Sequence, residues 1–132
     1  MSLNVLVVDD SMVMRAMITK TLRMCGVPIG DVVQASNGQE GLDALDQNWI
    51  DLALVDINMP VMTGEEMLEH MRRSSETQDL PVIVISTEGS QTRIDRLEQK
   101  GATFIHKPFT PEALRDTIKQ ITGIGTEQAS RA

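Results

Sequence analysis

The chain has one cysteine, Cys25, so it can form no internal disulfide and suits a reducing compartment. No histidine lies near Cys25 in sequence, which favours a small buried hydrophobe over a nucleophile. Long apolar runs are missing too. Nothing approaches the ~20 residues of a membrane helix, and the start of the chain lacks the basic and apolar regions of a leader. A cytoplasmic protein with no membrane partner is the expectation. Positive charge is in deficit, with 12 Lys and Arg against 19 Asp and Glu and a formal net charge of −7. Polyanions are gripped by positive surface, so direct nucleic-acid binding is not expected. Internal repeats, low-complexity tracts and a second domain are likewise missing. What remains is 132 residues, 41% hydrophobic and 23% charged, the composition of one globular domain.

Present instead are four short apolar runs that each end in a reactive group. Val5-Leu6-Val7-Val8 leads into Asp9-Asp10, and Leu52-Ala53-Leu54-Val55 into Asp56. Val82-Ile83-Val84-Ile85 leads into Ser86-Thr87, and Phe104-Ile105-His106 into Lys107-Pro108. The runs do not alternate with polar residues, as expected of strands buried on both faces of a parallel sheet. Ligands of such sheets bind at the carboxyl ends of the strands. Three carboxylates, a hydroxyl and an ammonium would then share one edge.

Between these runs the spacing turns helical. Val13, Met14, Met17, Ile18, Thr21, Leu22 and Cys25 predict a first helix ended by Gly26 and Pro28. A strand near 31–35 and the turn Ser36-Asn37-Gly38 precede a short second helix, with Leu42 and Leu45 inward and Trp49 packed beneath its end. Thr63-Gly64-Glu65-Glu66 has capping-box spacing for a third helix burying Met67, Leu68 and Met71. A fourth helix is predicted over about 90–100 and stopped by Gly101. Thr110 and Pro111 open a fifth that buries Leu114, Ile118 and Ile121. Of the nine methionines, Met14, Met17, Met67 and Met71 stand at helical spacing and read as core filler. His70 and His106 lack metal-ligand spacing. Five alternating strands and helices predict an α/β, doubly wound (βα)5 parallel sheet of order 2-1-3-4-5. Residues 1–124 would form the domain, with 125–132 a polar tail.

Two carboxylates ~5 Å apart repel by about 3 kcal/mol at an effective dielectric of about 20. Three at one edge either raise one another's pKa or recruit a cation. Mg²⁺ suits them, since it takes one or two carboxylates along with phosphate oxygens and water. Asp9 and Asp10 alone would equally suit a helix start; Asp56, from another strand, favours the metal. Lys107 would be a point charge for phosphoryl oxygens. Ser86 would be a hydroxyl donor to them, with Thr87 its nearest competitor.

The set Asp9-Asp10, Asp56, Asn58-Met59-Pro60, Gly64, Ser86 and Lys107-Pro108-Phe109 resembles the receiver domain of two-component response regulators. The likeness spans roughly residues 4–122 and is greatest to the single-domain chemotaxis type. Those regulators have the flavodoxin-like order 2-1-3-4-5, so the strand order is partly carried by the resemblance. The resemblance implies a phosphorylation-activated signalling switch, not an enzyme acting on a separate substrate. By the same likeness Asp56 is the phosphoacceptor, charged by a sensor histidine kinase or histidine phosphotransfer domain. Mg²⁺ is held by Asp10, Asp56, the Asn58 carbonyl and, through water, Asp9. Lys107 binds the phosphoryl oxygens and precedes a cis proline. Ser86 and Phe104 form the switch pair, and Asn58 and Glu88 flank the phosphoryl group, which should be short-lived.

The implied output is the surface of helix 4, strand 5 and helix 5, acting on a downstream target such as a flagellar motor switch. The inward stripe of helix 4 is thin, mainly Ile94 and Leu97, so it should reposition cheaply. Arg93, Arg96 and Lys100 give it a basic strip for a partner. A monomer is expected.

Departures from the family pattern are mild. Phe104 stands where tyrosine is common, Ser86 where threonine is frequent, and Thr63 where aspartate often precedes the glycine. The first bears on the partner's identity. The alternatives are a non-chemotactic relay regulator, a receiver excised from a longer protein, a scaffold, a flavodoxin and a haloacid-dehalogenase-type phosphatase. The phosphatase would need an acid at Asn58. A flavodoxin would need hydroxyls where Asp9-Asp10 stand, and a scaffold would not need the full acidic set.

Overall fold

The computed structural model describes residues 2–57, 59, 61–87 and 90–123. Five strands alternate with five helices: β1 (Leu3–Val8), α1 (Met12–Met24), β2 (Ile29–Ala35), α2 (Gly38–Gln47) and β3 (Leu52–Val55) come first. Then follow α3 (Gly64–Arg73), β4 (Val82–Ser86), α4 (Gln91–Gln99), β5 (Ala102–His106) and α5 (Pro111–Thr122). All pairings are parallel, in the order β2-β1-β3-β4-β5. The predicted architecture and strand order are those observed.

Alternation along each strand splits the core into two layers. Val5, Val7, Leu52, Leu54, Ile83 and Ile85 face α1 and α5, meeting Ile18, Leu22, Leu114 and Ile118. Leu6, Val8, Ala53, Val55, Val82 and Val84 face the other way, toward Met67, Leu68, Met71 and Leu97 of α3 and α4. With both faces covered, β1, β3 and β4 have no solvent side, which is why their sequences show no polar alternation.

Each helix begins at a side-chain cap. Ser11, Asn37, Thr63, Ser90 and Thr110 accept from the backbone N–H three residues on. The predicted capping box is complete: Glu66 accepts from the Thr63 N–H at 3.0 Å while Thr63 Oγ1 accepts from the Glu66 N–H at 3.2 Å. Gly123, at φ 75°, closes α5 in the left-handed conformation.

Three packing expectations need correction. Met17 and Val13 are not core: they are 57% and 69% exposed, because the buried stripe of α1 runs through Ile18 and Leu22 and their positions lie off it. Met14 is half-buried and, with Met17, lines an apolar groove of about 330 Å³ against Pro108 and Phe109. Trp49 does not pack beneath α2. It is 81% exposed and its indole N–H donates to Asp51 Oδ1 at 3.1 Å, beyond the Asn48 cap. Among the described residues, no helix is long and apolar enough to cross a membrane. The expected tail, 125–132, lies outside the described residues.

Candidate functional site

Register builds the site. Val8 pairs with Ala35 on one side and Val55 on the other, Val55 with Val84, and Ser86 with His106, so these strands finish at one edge. Backbone hydrogen bonds then run one residue further. Asp9 N–H donates to Ala35 O at 3.1 Å, Asp56 N–H to Val8 O at 2.9 Å, and Lys107 N–H to Ser86 O at 2.9 Å. Each reactive side chain is therefore fixed by its own strand end.

Asp9, Asp10 and Asp56 offer carboxylate oxygens that all lie within 4.8 Å of one another. Lys107 Nζ stands 3.6 Å from Asp9 Oδ2 and 3.8 Å from Asp56 Oδ1. Asp9 is 2% exposed, and its Oδ1 accepts from the Ser11 N–H at 2.9 Å. Its Oδ2 is buried with no hydrogen-bond partner. An orphaned carboxylate oxygen is costly, and hard oxygen donors in a cluster suit a divalent cation. The residues present fit Mg²⁺. Burial pushes the Asp56 carboxyl above the usual carboxylate range; Lys107 opposes this, and Asp9 and Asp10 add to the rise.

Gly64 explains its own place in the motif. Its N–H donates to Ile57 O at 2.8 Å, and a Cβ there would run into the Asp56 carbonyl oxygen and lie 3.0 Å from Ile57 Cα. Those obstacles are backbone, which cannot rotate aside. Gly64→Ala should therefore cost about 3 kcal/mol, the upper part of the overpacking range, and shift Asp56. Urea unfolding checks this; a midpoint equal to that of the unsubstituted protein would show that the 56–64 contact yields freely.

Ser86 lies at the end of β4, 2% exposed, and Phe104 is half-buried on β5. The Phe104 ring meets His106 edge-on, with centroids 4.6 Å apart. The Lys107–Pro108 bond is cis, as the resemblance implies. Asn58 and Glu88 lie outside the described residues.

The basic strip on α4 differs from expectation. Arg93 is half-buried. Arg96 Nε and Nη2 reach Glu65 at 3.2 and 3.4 Å, and Lys100 Nζ reaches Glu65 at 3.0 Å and Glu69 at 3.3 Å. Two of its three cations are thus spent on α3, and a bidentate, partly buried network of this kind holds better than an isolated surface pair. The thin inward stripe, Ile94 and Leu97, is as predicted.

Sequence reasoning missed Arg15, which donates from Nη1 to the Asp9 carbonyl at 2.6 Å. It also missed Arg72, at the opposite edge, which donates to five backbone carbonyls. Neither contact has a spacing signature.

The fold and the clustered acids define a class, and comparison agrees: residues 5–119 match the response regulator receiver domain, and the chain belongs to that family. It is 34% identical over 130 residues to a Campylobacter jejuni chemotaxis protein CheY homolog, covering 97% of this chain and 98% of that one. It is 36% identical over 123 residues to chemotaxis protein CheY1 of Helicobacter pylori, covering 92% and 98%. The crystal structure of chemotaxis protein CheY4 from Vibrio cholerae superposes with a TM-score of 0.81 at 34% identity, covering 92% of this chain and 99% of that one. The chain is thus a phosphorylation-activated signalling switch of the kind these relatives represent. A receiver from Pseudomonas aeruginosa sensor kinase PA1611, solved with magnesium coordinated in its active-site cleft, shares the fold at 22% identity and a TM-score of 0.80, covering 93% of this chain and 99% of that one.

Proposed function

We propose that Asp56 is the phosphoacceptor of this switch. An ionised Asp56 oxygen attacks the phosphorus of a phosphohistidine on a sensor kinase or phosphotransfer domain. The P–O bond forms as the P–N bond breaks, and the imidazole leaves. Mg²⁺, when bound, neutralises the charge on the transferring group. Asp9, Asp10 and Asp56, with the Asn58 carbonyl, would hold it. Lys107 binds a phosphoryl oxygen, for which its position beside two carboxylates suits it. Ser86 donates its hydroxyl to another, and Phe104 moves into the space that Ser86 leaves. Glu88 and Asn58 flank the phosphoryl group and set how fast water removes it.

Driving a two-state domain from roughly 1:99 to 99:1 takes about 5.5 kcal/mol, and charge-assisted bonds to Ser86 and Lys107 are of the right kind to contribute. The output surface is α4, β5 and α5, including Arg93, Arg96 and Lys100. Likeness to chemotaxis proteins supports a role in a chemotaxis pathway, with a flagellar motor component as the proposed target and the cytoplasm as the proposed compartment.

The single observation carrying this reading is the meeting of three carboxylates with one ammonium, drawn from three strand ends. Incubation with acetyl phosphate and MgCl₂ should add one phosphoryl group, and borohydride reduction followed by peptide mapping should find it at Asp56. Modification at another carboxyl, or none, refutes the assignment.

A further inference from the structure

We propose that Arg15, held by Gln34, is a positioning residue for the metal site. The inference rests on the reading of Asp9, Asp10 and Asp56 as Mg²⁺ ligands and assigns the group that orients them. Asp9 is pinned on three sides: its N–H by Ala35 O at 3.1 Å, its Oδ1 by the Ser11 N–H at 2.9 Å, and its carbonyl by Arg15 Nη1 at 2.6 Å. Only Oδ2 is left without a hydrogen bond, and it is the atom facing Lys107. The Asp9 carbonyl belongs to the peptide plane joining Asp9 to Asp10. A guanidinium fixed on that oxygen therefore sets the direction of both carboxylates at once.

Arg15 needs an anchor of its own to do this. Its Nε donates to Gln34 Oε1 at 3.1 Å, and Gln34 is a residue of β2, which is hydrogen-bonded to β1 in the sheet. The rigid sheet thus holds the arginine, and the arginine holds the turn between β1 and α1. Bidentate reach is essential, because one nitrogen grips the turn while another grips the anchor. Lysine, a single flexible point donor, cannot reproduce it. Groups that orient metal ligands from behind typically change affinity by ~10–100-fold when replaced.

MgCl₂ titration of the purified protein, read as the rise in melting temperature at constant ionic strength, tests the idea. Arg15→Lys keeps the charge, so electrostatic attraction for the cation is unchanged and only orientation is lost. Its half-saturating Mg²⁺ concentration should rise about tenfold or more. Gln34→Leu, which changes no charge and replaces no ligand, should raise it severalfold while the metal-free melting temperature stays put. A purely structural Arg15 would lower the metal-free melting temperature and leave the Mg²⁺ midpoint alone. Midpoints within twofold of the unsubstituted protein for both variants overturn the proposal. If Arg15→Lys does not fold, Gln34→Leu decides by itself. Failure of the unsubstituted protein to respond to Mg²⁺ overturns the metal-site reading beneath it, and that result is seen before any variant is compared.

Discussion

Asp56→Asn should abolish phosphoryl labelling and, in the same protein, raise the melting temperature of the metal-free form. The first effect follows from chemistry: an amide oxygen does not attack phosphorus, and among the described residues no other acid sits beside both Asp9 and Lys107 at this edge. The second follows from linkage. Burial, helped by Asp9 and Asp10 and opposed by Lys107, raises the Asp56 pKa in the folded state. A carboxyl raised on folding binds its proton more tightly in the native than in the unfolded chain. Its favourable contribution is present in full below the ordinary carboxylate range and is lost as pH rises through the raised value. At neutral pH the ionised Asp56 is therefore a standing penalty, and asparagine removes it. For a chain of this size each kcal/mol regained is worth about 3–6 °C. The gain should be visible at pH 7 and vanish below about pH 4, where both proteins carry a neutral group. Mg²⁺ should narrow the gap by stabilising the unsubstituted protein, since a ligand at a hundredfold excess over Kd contributes about 2.7 kcal/mol. Melting curves at the two pH values, with and without MgCl₂, check all of this. A lower neutral-pH melting temperature for Asp56→Asn would mean that Lys107 more than compensates the burial.

What the sequence made legible follows from periodicity. Short, largely apolar runs marked the strands, unbroken in β1, β3 and β4, which are buried on both faces, so the positions of Asp9, Asp56, Ser86 and Lys107 at strand ends could be read directly, and parallel pairing then aligned those ends. Helix caps were legible for the same local reason, since a cap and its N–H partner are three residues apart.

Elsewhere local pattern misled. The first helix carries more apolar residues than one stripe holds. Ile18, Leu22 and the cap Cys25 stand four and three apart and are buried, while Val13 and Met17 lie about a quarter turn or more away and face solvent. Composition does not say which of two possible stripes the sheet will cover. Charge pairing was less legible still. Glu65 meets Arg96 and Lys100 across 31 and 35 residues, a distance over which the sequence carries no phase information. A basic strip seen along α4 alone therefore misses the acids that α3 turns toward it.

Arg72 shows how much stability such a long-range contact holds, and Arg72→Met should be among the most destabilising single changes in this fold. The guanidinium emerges near the end of α3 and donates to Lys100 O at 2.7 Å, Thr77 O and Leu80 O at 3.0 Å, Gln78 O at 3.1 Å and Gly101 O at 3.4 Å. One planar fork thus ties the end of α3 to the segment before β4 and to the turn that Gly101, at φ 85°, makes before β5. Burial lowers the Arg72 pKa and Asp79 opposes the fall, yet an arginine so far above neutrality keeps its charge. Methionine preserves the length and apolar contact of the stem and supplies no donor. Hydrogen bonds from charged groups are worth about 1.5–3 kcal/mol each, and water recovers those at the rim. The net loss should be about 3 kcal/mol. Lysine should recover only a minor part, because a single ammonium cannot face five carbonyls spread over two segments. These carbonyls precede the amino ends of β4 and β5, whereas Asp56 follows the carboxyl end of β3. Phosphoryl labelling of the folded variant should therefore persist while its urea midpoint falls and amide exchange quickens over 74–81 and 100–102. An unchanged midpoint would show that water replaces the guanidinium without cost.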